Sequence, residues 1–319
     1  MDVSQGERFL SDALHSLSTQ TYRDFEIVLC AHGANVRTTD IIRAWEQREP
    51  RLRVLWYDRM PLSRAHNRAA EAARGHLFAR LDADDVAAPH RLDRQVAAMT
   101  ANRRLSFVGS AARVIDARGR HLGIVRNPLT SAEIAEALAH SCPILHSSVM
   151  ICARAFRSVG GYRPGLNICE DYDLYVRLIE AHEAANIAEP LVHYRIHSES
   201  ISACKAKRMA IAGLCVRAAV IAQRDCLPAP FSGGVPSLRR AQPLVGLSRR
   251  EVRVRVNAVA LQSKFSRRVL GRPTLAGFNI GLRRAALKLG LRPAYSLAFR
   301  VCVQAATAIR AMRRPARAK

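Results

Sequence analysis

The sequence predicts an α/β domain followed by a basic, mainly helical extension, and three observations carry that reading. Short apolar runs alternate with helical periods up to about residue 203, as in proteins whose helices pack on a sheet. Charge is divided unevenly: 205–319 hold 25 Lys and Arg against two acids, Asp225 and Glu251, while 1–204 hold 25 basic and 24 acidic residues. A stretch rich in Pro and Gly, about 227–247, lies early in the basic part and reads as a linker. The expected division is therefore 1–203 and 204–319.

The elements follow in order. Phe9, Leu10, Ala13, Leu14 and Leu17 recur at a helical period, and 25–30 form an apolar run suited to a buried strand. Residues 41–45 read as helix, 52–56 as strand, and 65–73 as a helix ending near Gly75. A strand over 76–81 runs into an acidic cluster. Pro89 then opens a helix, where its missing N–H costs nothing, with Leu92, Val96 and Met99 on one face. Strands are expected at 105–108 and 113–115, then another after His146, a Gly160-Gly161 turn, and a helix from Glu170 to about His182. In the extension, 205–224 read as helix. Leu275, Phe278, Leu282, Ala285 and Leu289 trace one helical face; Leu297, Val301, Ala305, Ala308 and Met312 trace another. Val252, Val254 and Val256 alternate among arginines and stay unassigned.

Composition narrows the function classes. No run reaches the roughly 18 apolar residues of a membrane-spanning helix; the longest candidate, 209–222, is short and carries Arg217. The polar start (Asp2, Gln5, Glu7, Arg8) does not read as a secretory signal. Eight scattered cysteines without a C-x-x-C pair read as reduced thiols of a cytosolic protein. The formal charge of +24 calls for an anionic partner: lipid headgroups, nucleic acid or a phosphorylated substrate. Nucleic acid is disfavoured, because no recognised motif is present and the extension has few aromatics.

The residues suited to chemistry are acidic. Asp82-Ala83-Asp84-Asp85 ends an apolar strand, the place where open α/β sheets collect ligands. Carboxylates there can hold Mg²⁺ or Mn²⁺, which keep their other positions for water and phosphate oxygens. Standing alone, such a cluster is more often a helix cap or acidic turn. Glu170-Asp171 has its own plain reading, acids in the first turn of a helix favoured by its dipole.

Several ordered blocks give these residues context. Gly6-Glu7-Arg8-Phe9-Leu10 with Gln20-Thr21-Tyr22, and Asn67-Arg68-Ala69 with Ala79-Arg80-Leu81-Asp82-Ala83-Asp84-Asp85, lie in the first half. Arg91-Leu92-Asp93-Arg94-Gln95, His146-Ser147-Ser148-Val149-Met150, Val159-Gly160-Gly161-Tyr162, Glu170-Asp171-Tyr172-Asp173-Leu174 and Tyr194-Arg195-Ile196-His197 follow. Together, over about 4–203, they resemble the family 2 glycosyltransferases of the GT-A fold. The resemblance implies a nucleotide-sugar-binding sandwich with a mixed central sheet. It implies that Asp82, with Asn67 and Arg80, contacts the donor, and that Asp84, with Asp82 and His197, holds a divalent metal on its diphosphate. It implies Asp171, paired with Glu170, as the general base of an inverting transfer. A nucleotide-sugar donor, UDP-linked as first candidate, and a saccharide or lipid-linked acceptor follow. His197, Asn67 and His146 each keep a plain structural reading; His66 and His32 have no partner nameable from sequence.

Two departures from the family pattern stand out. The resemblance places an apolar strand before the turn at which this chain opens, so that strand is expected to be absent, through a misplaced start or a truncated gene. The acidic turn after the second strand, which holds the nucleotide base, is here Ala31-His32-Gly33-Ala34. Three readings follow: a metal-dependent transferase for cell-surface polysaccharide or glycolipid, cytoplasmic and docked on the inner face of the membrane through 204–319; a truncated, inactive relative that binds a partner; and nucleic-acid binding through the extension.

Overall fold

The computed structural model describes residues 1–224 and, beyond them, 231–232, 235–236, 238–246, 248 and 251–252. The helical faces expected over 275–289 and 297–312, with Val254 and Val256, lie outside the described residues.

Two sheets face a common core. The first is parallel, in the order β1 (Asp2–Val3), β2 (Ile27–His32), β3 (Leu52–Tyr57), with α1 (Leu10–Ser18) and α2 (Val36–Glu46) as its crossovers. The second follows α3 (Leu62–Ala72) and uses β4 (Leu77–Ala79), β5 (Val86–Ala87), β6 (Leu105–Asp116), β7 (His121–Val125), β8 (Met150–Cys152) and β9 (Glu183–Ile196). Its order is β4-β8-β6-β9-β5, with β7 also on β6. It is mixed: β6 runs antiparallel to β7 and β8 but parallel to β9. Helices α4 (Arg91–Ala101), α5 (Ser131–Leu138), α6 (Ala153–Ser158) and α7 (Glu170–Ala181) fill its connections. After β9 come α8 (Ile201–Cys204), α9 (Ala206–Arg224), β10 (Phe231–Ser232), β11 (Val235–Pro236) and α10 (Leu238–Leu244).

The sequence explains these choices locally. Leu10, Ala13, Leu14 and Leu17 bury one stripe of α1, and all six residues of β2 are buried because β1, β3 and helices enclose it. That stripe meets Ile27 and Leu29 of β2 and Val114 and Val192 of the second sheet. Each fully buried leucine contributes roughly 1.5–3 kcal/mol. A second cluster joins Phe107 of β6, Tyr175 and Leu178 of α7, and Val216 and Val220 of α9. The described start of the basic part therefore shares a core with the α/β half.

Several expectations change. β1 is present as two residues: Asp2 and Val3 pair with Cys30 and Ala31, where the sequence reading had no strand. Backbone pairing there needs no apolar run. The strand expected over 76–81 runs only to Ala79, with Arg80 adding one further backbone bond to the Val149 carbonyl (2.8 Å) before the acidic turn. The strands expected at 105–108 and 113–115 are one twelve-residue strand, held through its Gly109-Ser110-Ala111-Ala112 middle by β9 alongside. A side chain at Gly109 would collide with Asn186 Oδ1 of that neighbour. α5 begins on a capping box, Thr130 with Glu133, that the sequence reading passed over. Much of the expected linker, 227–247, is occupied by β10, β11 and α10; Ala241 of α10 packs on Cys215 and Ala218 of α9. Among the described residues no helix is long and apolar enough to cross a membrane.

Candidate active site

The acidic residues sit on the turn after β4, and three distant segments hold them. Asp82 is fixed at both carboxylate oxygens: Arg80 Nη2 donates to Oδ1 (2.6 Å) and the Ser147 hydroxyl to Oδ2 (2.8 Å). The Asp82 N–H donates back to Ser147 Oγ (3.0 Å). Asp84 Oδ2 lies 3.0 Å from His197 Nε2, and its carbonyl accepts from Arg195 Nε (2.8 Å). The His197 ring rests on Phe9, centroids 5.0 Å apart.

Asp85 is the residue that sequence reasoning missed. It is 1% exposed; its Oδ1 accepts the Arg195 N–H (2.7 Å), and among the described residues its Oδ2 has no hydrogen-bond partner. Burial, then the charges of Asp84 and Asp82, push its carboxyl well above the usual carboxylate range. Oxygens of Asp82, Asp84 and Asp85 all lie within 4.8 Å of one another. Three converging carboxylates, one with an orphaned buried oxygen, fit a hard divalent cation that prefers oxygen ligands. Asp82 and Asp84 remain about one-third exposed, which leaves room for further ligands.

Arg80 does not reach outward. Its guanidinium is buried, donates to the Leu81 carbonyl, and lies 2.7 Å from Asp2 Oδ1 as well as against Asp82. Burial opposes its charge, but Asp82 and Asp2 more than offset that and keep it protonated. His66 Nε2 lies 2.8 Å from Asp2 Oδ1, and His32 Nε2 is 3.9 Å from Oδ2. Both histidines thus have a partner in Asp2.

Asn67 is also spent internally. Its amide donates to the Tyr162 carbonyl (2.8 Å) and accepts the Tyr162 N–H (2.9 Å), clamping α3 to the Gly160-Gly161 turn. Direct donor contact by Asn67 would require breaking this clamp. Gly161 has φ +65, and a Cβ there would fall 2.8 Å from Asn67 Oδ1, so glycine permits the close approach. Asn67→Ala strands two buried backbone groups and should destabilise the fold by about 2 kcal/mol. A denaturation midpoint equal to wild type would contradict the clamp.

The second acidic group opens α7. Cys169 precedes it with φ +61, the one non-glycine residue with positive φ among the described residues, and this places Glu170 and Asp171 in the first helical turn. Asp171 Oδ1 accepts the Tyr172 N–H (2.8 Å). Glu170 is buried and Asp171 half-buried. Burial and the neighbouring Asp171 raise Glu170 to about 8; burial, with the Asp82 charge, raises Asp171 to about 6. The Tyr162 hydroxyl lies 2.7 Å from Nε2 of His146, whose ring burial holds well below its ordinary value. The fold gathers Asp82, Asp84 and His197 at the turn after β4 and brings the Asp82 charge within reach of Asp171, while Arg80 and Asn67 are held in internal contacts.

Residues 4–156 match the family described as Glycosyl transferase family 2. The chain is 29% identical over 206 residues to the O-antigen biosynthesis glycosyltransferase WbnJ of Escherichia coli, covering 63% of this chain and 79% of that protein. It is 28% identical over 207 residues to the putative glycosyltransferase EpsE of Bacillus subtilis, covering 63% and 72%. Among solved structures, S. aureus TarS 1–349 in complex with UDP-GlcNAc superposes with TM-score 0.59 at 13% identity, over 97% of this chain and 88% of that one. The mannosyltransferase PcManGT from Pyrobaculum calidifontis, in complex with GDP-Man and Mn²⁺, gives 0.53 at 16%, over 98% and 86%. At these identities the structural likeness speaks for the fold, a GT-A type α/β sandwich.

Proposed function

Residues 4–156 belong to glycosyl transferase family 2, and we propose that this glycosyltransferase moves a hexosyl group, with inversion, from a nucleotide-diphosphate donor to a saccharide or lipid-linked acceptor of the cell envelope. One observation carries the reading. Two carboxylate groups from distant parts of the chain, 82–85 and 170–171, stand close enough for the Asp82 charge to help raise Asp171. One group suits the donor's phosphates through a cation; the other suits the acceptor's hydroxyl.

The acceptor hydroxyl oxygen forms the new bond to the anomeric carbon from the face opposite the departing diphosphate oxygen, and the old carbon–oxygen bond breaks with its electron pair on the nucleoside diphosphate. Asp171 takes the hydroxyl proton as the attack proceeds. Asp82, Asp84 and Asp85, with His197 beside Asp84, would hold Mg²⁺ or Mn²⁺, which would supply charge neutralisation for the leaving diphosphate. UDP-linked sugars are the first donors to try, since two similar proteins bind UDP-GlcNAc and GDP-Man. Polysaccharide-related names among the relatives, O-antigen and amylovoran biosynthesis included, support an envelope acceptor. The reading extends to place: the cytoplasmic face of the membrane, with the basic part of the chain, 204–319, on anionic lipid.

Asp171 must be deprotonated to accept a proton, and burial has raised its carboxyl to about 6. Transfer should therefore fall as pH drops through about 6, roughly tenfold per unit below it. A rate flat from pH 7 to pH 5 would remove Asp171 from the role of base.

The test of the function is nucleoside-diphosphate release from a panel of nucleotide sugars, with and without Mn²⁺, in the presence of membrane-extracted acceptors. Metal-dependent release that requires acceptor supports the transferase. The second reading, an inactive relative, draws on Ala31-His32-Gly33-Ala34, where His32 is buried towards Asp2. Donor binding without turnover across the panel would favour it.

A further inference from the structure

We propose that Asp2 acts through Arg80 as a positioning residue that sets how much negative charge Asp82 offers to a divalent cation. The proposal rests on the metal-binding reading of the acidic turn and adds a residue that lies outside it.

The geometry is a buried three-group chain. Arg80 Nη2 sits between two carboxylates, 2.7 Å from Asp2 Oδ1 and 2.6 Å from Asp82 Oδ1. Its side chain is 9% exposed and that of Asp2 11%, so water screens neither charge well. A lone buried guanidinium at this distance would cancel the Asp82 carboxylate and repel an arriving dication. With Asp2 on its other side, one positive charge is shared by two negative ones, and Asp82 keeps negative character towards Asp84 and Asp85. Arg80 then does two separable things: it fixes the direction of the Asp82 carboxylate, and, once offset by Asp2, it does so without discharging it.

The local fold puts Asp2 there. β1 ends at Val3, and the pairing of Asp2 with Cys30 sets the side chain beside His66 of α3 and His32 at the end of β2. Burial holds His66 below its ordinary value, and its Nε2 lies against both Asp2 Oδ1 (2.8 Å) and Arg80 Nη2 (2.9 Å), so the ring joins the two groups without adding a permanent charge. Arg80, kept charged by Asp82 and Asp2, is the permanent cation beside Asp2. A purely structural reading would have Asp2 merely compensate the burial of Arg80; the two readings part when both charges are removed together.

The experiment is a Mn²⁺ titration of the full chain, followed by the electron paramagnetic resonance of free Mn²⁺, with circular dichroism to verify folding. Four proteins are compared: wild type, Asp2→Asn, Arg80→Gln and the double variant. Asp2→Asn should weaken Mn²⁺ binding about tenfold, an order of magnitude set by one poorly screened charge near the site. Arg80→Gln should bind at least as tightly as wild type, and the double variant should return to within about threefold of it. Unchanged binding in folded Asp2→Asn overturns the proposal, as does a double variant as weak as Asp2→Asn. Should Asp2→Asn not fold, Arg80→Gln decides: binding weaker than wild type overturns the proposal, and equal or tighter binding supports it. Wild-type protein that binds no Mn²⁺ sinks the metal reading itself, and this proposal with it.

Discussion

Asp171→Asn should lower kcat for sugar transfer by about 10³-fold while leaving donor KM within a few-fold of wild type. The magnitude is that of removing a positioned proton acceptor, typically 10²–10⁴. The substitution is suited to the purpose. Asparagine keeps an oxygen where Asp171 Oδ1 accepts the Tyr172 N–H, so the first turn of α7 retains its hydrogen bond. It also removes a charge that helps to raise the buried Glu170 carboxyl, so folding should not suffer. Glu170→Gln provides the contrast. Glu170 is 5% exposed, and burial with the Asp171 charge raises its carboxyl, which favours its protonated form and leaves Asp171 the better placed base. Its neutral replacement should cost much less than Asp171→Asn. Steady-state nucleoside-diphosphate release with acceptor measures both. If Glu170→Gln is the more damaging of the two while folded, the roles within the pair are reversed.

The two acidic clusters were legible in the sequence because each is local: a run of acids after an apolar strand, and a pair at a helix start. What holds them was not, because the partners are far away along the chain. Ser147 grips Asp82 from 65 residues on, and the Arg195 N–H reaches Asp85 from 110 residues on. Asp85 looked like one more solvated acid in a turn; only the return of β9 past that turn buries it. Asn67 invited a role in donor binding by its position in a motif, whereas its amide matches the backbone of Tyr162, 95 residues away. The same limit applies to the fold. α1 and α7 are readable from periodic apolar residues, but the middle of β6 is small and featureless, and it is a strand only because β9 lies alongside. β1 was hidden for a different reason. With two residues, its identity depends on register against β2 and on no pattern of its own.

Asp84→Asn should reduce transfer by about 10²–10³-fold and weaken Mn²⁺ binding, since neutralising the diphosphate contributes several kcal/mol to such reactions. Asparagine can keep the contact with His197, because its carbonyl oxygen can stand where Asp84 Oδ2 lies 3.0 Å from the ring nitrogen. A loss would therefore report the missing charge and not a collapsed turn. The loss should also be incomplete. After burial itself, the Asp84 charge is the largest cause raising the Asp85 carboxyl. With Asp84 neutral, Asp85 ionises more readily, and its unpartnered Oδ2 can offer part of the missing charge. The double variant Asp84→Asn/Asp85→Asn should then lose clearly more Mn²⁺ affinity than either change alone. Equal losses in the single and double variants would mean that Asp85 takes no part in cation binding. An Asp84→Asn enzyme with wild-type turnover would mean that the acidic turn does not serve the donor at all.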